Sequence, residues 1–113
     1  MAERQTNDGA LFGNDRLGLG MNVETLSRTV TVINPQGLHA RPADLLVRLA
    51  NQFQTKVEIV HGNQRADGKS ILEIMSLGAF AGATLVLEAC GPDAAAALDA
   101  LAKLFEQGFA EEA

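Results

Sequence analysis

Apolar and polar residues alternate where the chain first shows a regular pattern. Residues 29–32 read Thr-Val-Thr-Val, which has the period of a half-buried strand. Residues 34–37, Asn-Pro-Gln-Gly, are typical of a turn. From residue 40 to about residue 53 the apolar positions have helical spacing, and Pro42 suits the first turn of such a helix. The apolar face of this predicted helix comprises Ala43, Leu46, Val47, Ala50 and Phe53.

The rest of the pattern alternates further strands and helices. It predicts strands at residues 56–60, 64–67 and 84–90, and helices at residues 70–77 and 94–107. Ser70 and Glu73 have the spacing of a capping box at the start of one helix. Gly91 and Asp93 lie where the last strand must end, and we expect Asp93 to cap the last helix. The order β-α-β-β-α-β-α predicts an α+β fold, with helices packed on one face of an antiparallel sheet.

The composition divides the chain into two parts. Residues 1–27 carry four of the eleven glycines, mixed with Asn, Asp and Arg, and show no sustained apolar period. We therefore expect a flexible extension over residues 1–27 and one domain over residues 28–113. Two alternatives stay open for the extension: it is an interaction arm, or Met21 is the true start of the protein.

Charge and composition narrow the functional classes. The net charge is −5 and no run of basic residues occurs, which argues against a nucleic-acid partner and against tight binding to an acidic membrane surface. No apolar run approaches the ~20 residues needed for membrane insertion, and residues 1–20 lack the pattern of a secretory signal. Cys90 cannot pair within the chain and is expected to be a buried, inert thiol. These features favour a cytoplasmic protein.

The segment of residues 37–43, Gly-Leu-His-Ala-Arg-Pro-Ala, carries the candidate chemistry. His39 directly precedes the predicted helix, whose first N–H groups lack partners and whose dipole favours an anion. Arg41 adds a charged fork that suits phosphate oxygens. Because a neutral imidazole nitrogen is a nucleophile, this arrangement suits the transfer of a phosphoryl group through His39.

A simpler interpretation of His39 stands beside this one, because a single histidine before a helix is usually a solvated loop residue. Neither a second histidine, nor a cysteine pair, nor a carboxylate cluster lies near it in the sequence, so a metal site or an acid–base enzyme lacks support. The second histidine, His61, lies in the predicted hairpin turn, where we expect it to be solvated.

The predicted helix over residues 70–77 has too many apolar residues for its length. Four of them cannot all face inward on so short a helix: Ile71, Leu72, Ile74 and Met75. Either all four belong to the core, or some of them form an exposed docking patch. We expect Leu72 and Met75 to be exposed.

Residues 37–43 resemble, without a departure, the active-site motif of the HPr family of histidine-containing phosphocarrier proteins. Residues 68–71, Gly-Lys-Ser-Ile, and residues 75–78, Met-Ser-Leu-Gly, resemble the family's second signature, and Gly91 and Asp93 fit the turn before its last helix. The resemblance covers about residues 28–112. It implies an open-faced β-sandwich, in which three helices cover one face of four antiparallel strands.

The resemblance also implies a function and its residues. The protein would be a stoichiometric carrier of the phosphoenolpyruvate-dependent phosphotransferase system, not an enzyme, and would need no cofactor and no metal. Enzyme I would phosphorylate Nδ1 of His39 beside Arg41, and an EIIA-type acceptor would receive the group. HPr kinase/phosphorylase would phosphorylate Ser70. The implied partner-binding residues are Arg48, Lys69, Ile71, Leu72 and Met75.

Two other functions remain open from the sequence. One is a regulatory, nitrogen-type phosphorelay that uses the same His39 chemistry but serves no sugar transporter. The other is an interaction module controlled by phosphorylation of Ser70. We expect the protein to be a monomer.

Overall fold

The computed structural model of the protein describes residues 24–110. The strands are β1 (Thr25–Thr31), β2 (Lys56–His61), β3 (Gln64–Asp67) and β4 (Thr84–Cys90), and the helices are α1 (Ala40–Ala50), α2 (Ile71–Ser76) and α3 (Ala94–Glu106). A short 3-10 turn at Gly108–Ala110 follows α3. The order along the chain is the predicted β-α-β-β-α-β-α.

The four strands form one antiparallel sheet in the order β1-β4-β2-β3. Burial alternates along β4, where Leu85, Leu87 and Ala89 are buried while Thr84 is exposed. One face of the sheet therefore packs against the three helices, and the other face meets solvent. This architecture confirms the predicted α+β, open-faced β-sandwich.

The core lies between the sheet and the helices. Each helix contributes at least one side chain that is no more than 1% exposed: Leu46 in α1, Ile74 in α2, and Leu101 and Phe105 in α3. Phe109 packs edge-on against Phe105, with ring centroids 4.9 Å apart. Because α2 has only six residues, it depends on this packing rather than on its own helical propensity.

The first strand is longer than predicted. It begins at Thr25, opposite Cys90 of β4, so the expected boundary between residues 27 and 28 falls inside β1. Arg28 explains the difference, because it takes an inward-facing position in the alternation and forms an ion pair with Asp99 of α3. Residues 1–23, which include Met21, and residues 111–113 lie outside the described residues.

Helix α1 ends at Ala50, three residues before the predicted end at Phe53. The backbone beyond it is held by a distant side chain. Gln54 and Thr55 donate their N–H groups to the carboxylate of Asp93, at 3.0 and 2.9 Å. These bonds fix the loop that follows α1.

The same bonds overturn the prediction for Asp93. It occupies the N-cap position of α3, but its carboxylate does not cap that helix. The carboxylate accepts from the loop that precedes β2 instead, and the hydrogen bonds from Gln54 and then Thr55 lower the pKa of Asp93. The remaining helix and strand ends lie within two residues of their predicted positions.

Two truncations test the start of the domain. A protein that starts at Glu24 should keep the melting temperature of the full chain, because the removed residues are rich in glycine and polar side chains. A protein that starts at Arg28 loses the first three residues of β1 and should be about 1–3 kcal/mol less stable, because it lacks ladder hydrogen bonds and the packing of Leu26. Thermal unfolding followed by circular dichroism measures both. Equal melting temperatures for the two truncations would contradict the observed start of β1.

The lowered pKa of Asp93 predicts an acid-sensitive contribution to stability. Because its pKa is lower in the folded chain than in the unfolded chain, the carboxylate stabilises the fold above the unfolded-state pKa, and this contribution is lost as the pH falls through the lower folded-state value. Asp93→Ala should melt below the wild type at pH 7, and the gap should narrow below about pH 4. Glu106→Gln, at the exposed end of α3, is the control and should show no such convergence. A constant gap for Asp93→Ala would refute the role of the carboxylate.

Candidate functional site

His39 occupies the N-cap position of α1, with an extended backbone at φ −80° and ψ −168°. Its carbonyl accepts from the N–H of Ala43 at 3.0 Å. The His39 side chain does not cap this helix, and the first turn of the helix holds no acidic residue. Because Pro42 has no N–H, the groups left without an intrahelical acceptor belong to Ala40 and Arg41. The start of α1 is therefore an electropositive, anion-favouring end that adjoins an imidazole.

The ring of His39 is half-buried, and its Nε2 is closed to solvent. This burial favours Nδ1 as the nitrogen that reacts. Arg41 is exposed in the first turn of the helix and adds its guanidinium to the same end. The structure thus brings the two residues of the predicted active site together at one helix terminus.

The loop before His39 is held by close backbone contacts. Asn34 and Gly37 form the predicted turn, in which the Gly37 N–H donates to the Asn34 carbonyl at 3.1 Å. Gly37 has φ +70°, and a Cβ there would collide with the carbonyl oxygen of Ala79. The adjacent Leu38 N–H donates to that same oxygen at 3.0 Å. Glycine is required here because no residue with a side chain fits this approach.

Arg48 lies two turns along α1 from Arg41, and hence on the same side of the helix. Its side chain is 74% exposed, and its Nε donates to Asp44 at 2.8 Å. An exposed pair of this kind is weak, so the guanidinium can exchange Asp44 for an acidic partner.

Ser70 is the N-cap of α2, as predicted, and its Oγ accepts from the Glu73 N–H at 3.2 Å. The second half of the capping box differs from the usual pattern. The Glu73 carboxylate accepts from the N–H of Asp67 at 2.8 Å rather than from Ser70. The half-buried Ser70 hydroxyl therefore lies at the positive end of a short helix, with a carboxylate nearby.

Helix α2 presents an apolar patch, which we define as Leu72 and Met75. Leu72 is 80% exposed and Met75 is 41% exposed, whereas Ile74 is fully buried. Ile71 is half-buried and packs against the core. The sequence-based expectation that Leu72 and Met75 face solvent is confirmed.

Sequence reasoning missed Phe80, which is 75% exposed. It follows Ala79 in the segment that contacts Gly37, so it lies close in space to the loop that carries His39. The sequence contains a signal for this exposure, because Gly78 and Gly82 flank Phe80. A large apolar residue between two glycines lies outside the helices and strands whose faces form the core.

Lys69 is less available than Arg48, Leu72 and Met75. Its Nζ donates to the Phe53 carbonyl at 2.9 Å, and the residue is half-buried. The ammonium group therefore holds the loop that follows α1 against the start of α2.

The prediction for His61 is wrong. The residue ends β2 rather than lying in the hairpin turn, and it is half-buried. Its Nδ1 lies 3.1 Å from the Leu77 carbonyl at the end of α2. Because a carbonyl can only accept, Nδ1 carries the proton and donates it. His61 thus links the sheet to α2.

Cys90 is a buried free thiol at the end of β4, as expected, and burial raises its pKa. No group of three or more His, Cys, Asp and Glu side chains within residues 24–110 could hold a metal ion. None of the helices in this part of the chain has the length and apolar character needed to cross a membrane.

Comparison with known proteins agrees with this geometry. The family model described as PTS HPr component phosphorylation site matches residues 26–107. The phosphocarrier protein HPr of Treponema pallidum is 44% identical over 85 residues, which cover 75% of this chain and 97% of that protein. The phosphocarrier protein NPr of Shewanella violacea is 42% identical, over 76% of this chain and 94% of that protein.

A solved structure of a phosphocarrier protein also matches this chain. The crystal structure of HPr-C-His from Thermoanaerobacter tengcongensis matches with a TM-score of 0.75 and 40% identity, over 78% of this chain and 99% of that chain. The fold and the site therefore define a phosphocarrier rather than a catalytic enzyme. The chain belongs to the HPr family of the phosphotransferase system.

The exposure of Arg41 predicts that Arg41→Ala slows phosphoryl transfer more than it weakens the fold. Loss of one charged hydrogen bond to a phosphate costs about 1.5–3 kcal/mol, which is about ten- to a hundredfold in kcat if it acts in the transition state. The melting temperature should not change, because no core cavity opens. Arg48→Ala is the matched control and should raise KM without lowering kcat. Transfer by Arg41→Ala at the wild-type kcat would exclude this role.

Proposed function

We propose that His39 accepts a phosphoryl group from phospho-enzyme I and passes it to an EIIA-type acceptor of the phosphotransferase system. The observation that carries the proposal is the position of His39 at the uncapped N-terminus of α1, beside Arg41. No other described histidine has this environment, because His61 donates to the end of α2.

The chemistry follows from this geometry. The Nδ1 lone pair of His39 attacks the phosphorus, and a new P–N bond forms. The bond between the phosphorus and the histidine nitrogen of the donor breaks, and its electron pair returns to that nitrogen. The N–H groups of Ala40 and Arg41 and the Arg41 guanidinium stabilise the phosphoryl oxygens during this exchange. The second transfer repeats the same step with the acceptor as nucleophile, so the carrier ends unchanged.

Docking is proposed to use the exposed residues around this helix end. The apolar patch of Leu72 and Met75 can be covered by an apolar surface of the partner, and Arg48 can meet an acidic one. Ile71 and Lys69 contribute less directly, because Ile71 packs against the core and Lys69 holds the loop after α1.

Ser70 is proposed to be a regulatory site for HPr kinase/phosphorylase. Its position at the N-cap of α2 supports this, because a phosphate there lies next to the apolar patch that partners would cover. The protein is proposed to work as a cytoplasmic monomer.

A nitrogen-type regulatory relay is the second candidate. It is favoured by one observation, that an NPr protein and an HPr protein match this chain at nearly equal identity, 42% and 44%. Offering the phosphorylated carrier to a sugar-type and a nitrogen-type EIIA acceptor separates the two, because the physiological acceptor should receive the group faster.

Incubation with phosphoenolpyruvate and enzyme I should add one phosphoryl group, detected by intact mass. A phosphoramidate at His39 should be lost in acid and kept in base. His39→Ala should remain unmodified, whereas the matched variant His61→Ala should still gain one phosphoryl group, even if more slowly, because His61 contacts α2 but does not carry the phosphate. Phosphorylation that survives acid, or that persists in His39→Ala, would refute the proposed site.

A charge on Ser70 should block docking while the fold survives. Ser70→Asp places a carboxylate at the start of α2, where the helix dipole tolerates it, so circular dichroism should stay native. Transfer from enzyme I should slow, because the charge beside the apolar patch must be desolvated when a partner binds. Ser70→Asn is the matched control, since Asn also caps a helix but is neutral. Equal transfer rates for Ser70→Asp and Ser70→Asn would place the docking surface elsewhere.

A further inference from the structure

The peptide unit between Gly37 and Leu38 is held at both of its polar groups. The Nδ2 of Asn34 donates to the Gly37 carbonyl at 2.6 Å, and the Leu38 N–H donates to the Ala79 carbonyl at 3.0 Å. Because a peptide unit is planar, two hydrogen bonds on opposite sides of it fix its rotation about the chain. The next residue after this unit is His39.

Both bonds lie away from water. Asn34 is 3% exposed, and Leu38 and Ala79 are each 5% exposed. The Asn34 amide therefore supplies a hydrogen bond in a place that bulk water does not reach, and a buried carbonyl without a donor is costly. If the amide is removed, the Gly37 carbonyl loses its donor. The peptide unit then keeps one of its two hydrogen bonds, the bond to Ala79, and is freer to rotate.

We propose that Asn34 is a positioning residue for phosphoryl transfer, which acts by fixing the orientation of the Gly37–Leu38 peptide and through it the direction of the His39 imidazole. The inference rests on the phosphocarrier function proposed above. It differs from a role in docking, because Asn34 is buried and the exposed apolar patch lies on α2.

Steady-state kinetics with enzyme I test the proposal, with each variant as the phosphoryl acceptor. Asn34→Ala should lower kcat about tenfold, as expected for the loss of one hydrogen bond that holds the reacting group, and should leave KM unchanged. Asn34→Ser restores a weaker donor and should recover part of kcat. Asn63→Ala, in the exposed turn between β2 and β3, is the control and should behave as wild type. An unchanged kcat for folded Asn34→Ala, or a rise in KM that accounts for the whole effect, would overturn the proposal.

A second variant and a second readout keep the test decisive. Asn34→Asp has nearly the same shape but, when ionised, cannot donate to Gly37; if Asn34→Ala fails to fold, an unchanged kcat for Asn34→Asp at pH 8 overturns the proposal. The imidazole NMR signals of His39 should shift in the Asn34 variants while those of His61 stay in place. Unmoved His39 signals would also overturn it.

Phosphorylation by phosphoramidate, a small-molecule donor, separates this proposal from the proposed function. If enzyme I does not use the wild-type chain, the function proposed above fails. The positioning role is then judged by phosphoramidate alone, with which Asn34→Ala should still react more slowly at His39 than wild type. Equal rates with phosphoramidate in that case would refute the positioning role.

Discussion

The close approach of the Gly37–Leu38 backbone to Ala79 is the contact on which the functional surface depends. It requires a glycine at position 37, and it joins the loop before α1 to the segment after α2. The backbone contact therefore holds His39 and α2 in fixed positions relative to each other. Under the proposed function, a partner that covers the apolar patch would meet an imidazole that this backbone contact and the buried Asn34 hold in place, which is the preorganisation that transfer between two proteins requires.

Helices α1 and α2 supply different parts of the functional surface, and polar contacts fix their positions. Helix α1 supplies the anion-favouring end, whereas α2 supplies the apolar patch and Ser70. Lys69 links the start of α2 to the loop after α1, and His61 links the end of α2 to the sheet. A helix of six residues is marginal alone, so these contacts and the buried Ile74 hold the apolar patch in place.

The sequence predicted those features that depend on local patterns. The alternation of residues 84–90 gave β4 with its observed bounds, the spacing of Ser70 and Glu73 gave the cap of α2, and residues 37–43 indicated the site. It could not predict bonds between residues far apart in the chain, such as those of Asp93 with Gln54. The predicted end of α1 and the predicted environment of His61 were wrong for the same reason. The spacing of apolar residues carries no information about a distant hydrogen-bond acceptor.

We propose that the protein carries phosphate on Nδ1 of His39. The most direct measurement is the NMR spectrum of the phosphorylated, 15N-histidine-labelled chain, in which coupling to phosphorus identifies the bonded nitrogen. The structure predicts coupling to Nδ1 of His39, because Nε2 of that ring is closed to solvent. Coupling to Nε2 of His39, or to either nitrogen of His61, would contradict this assignment of the phosphorylated atom.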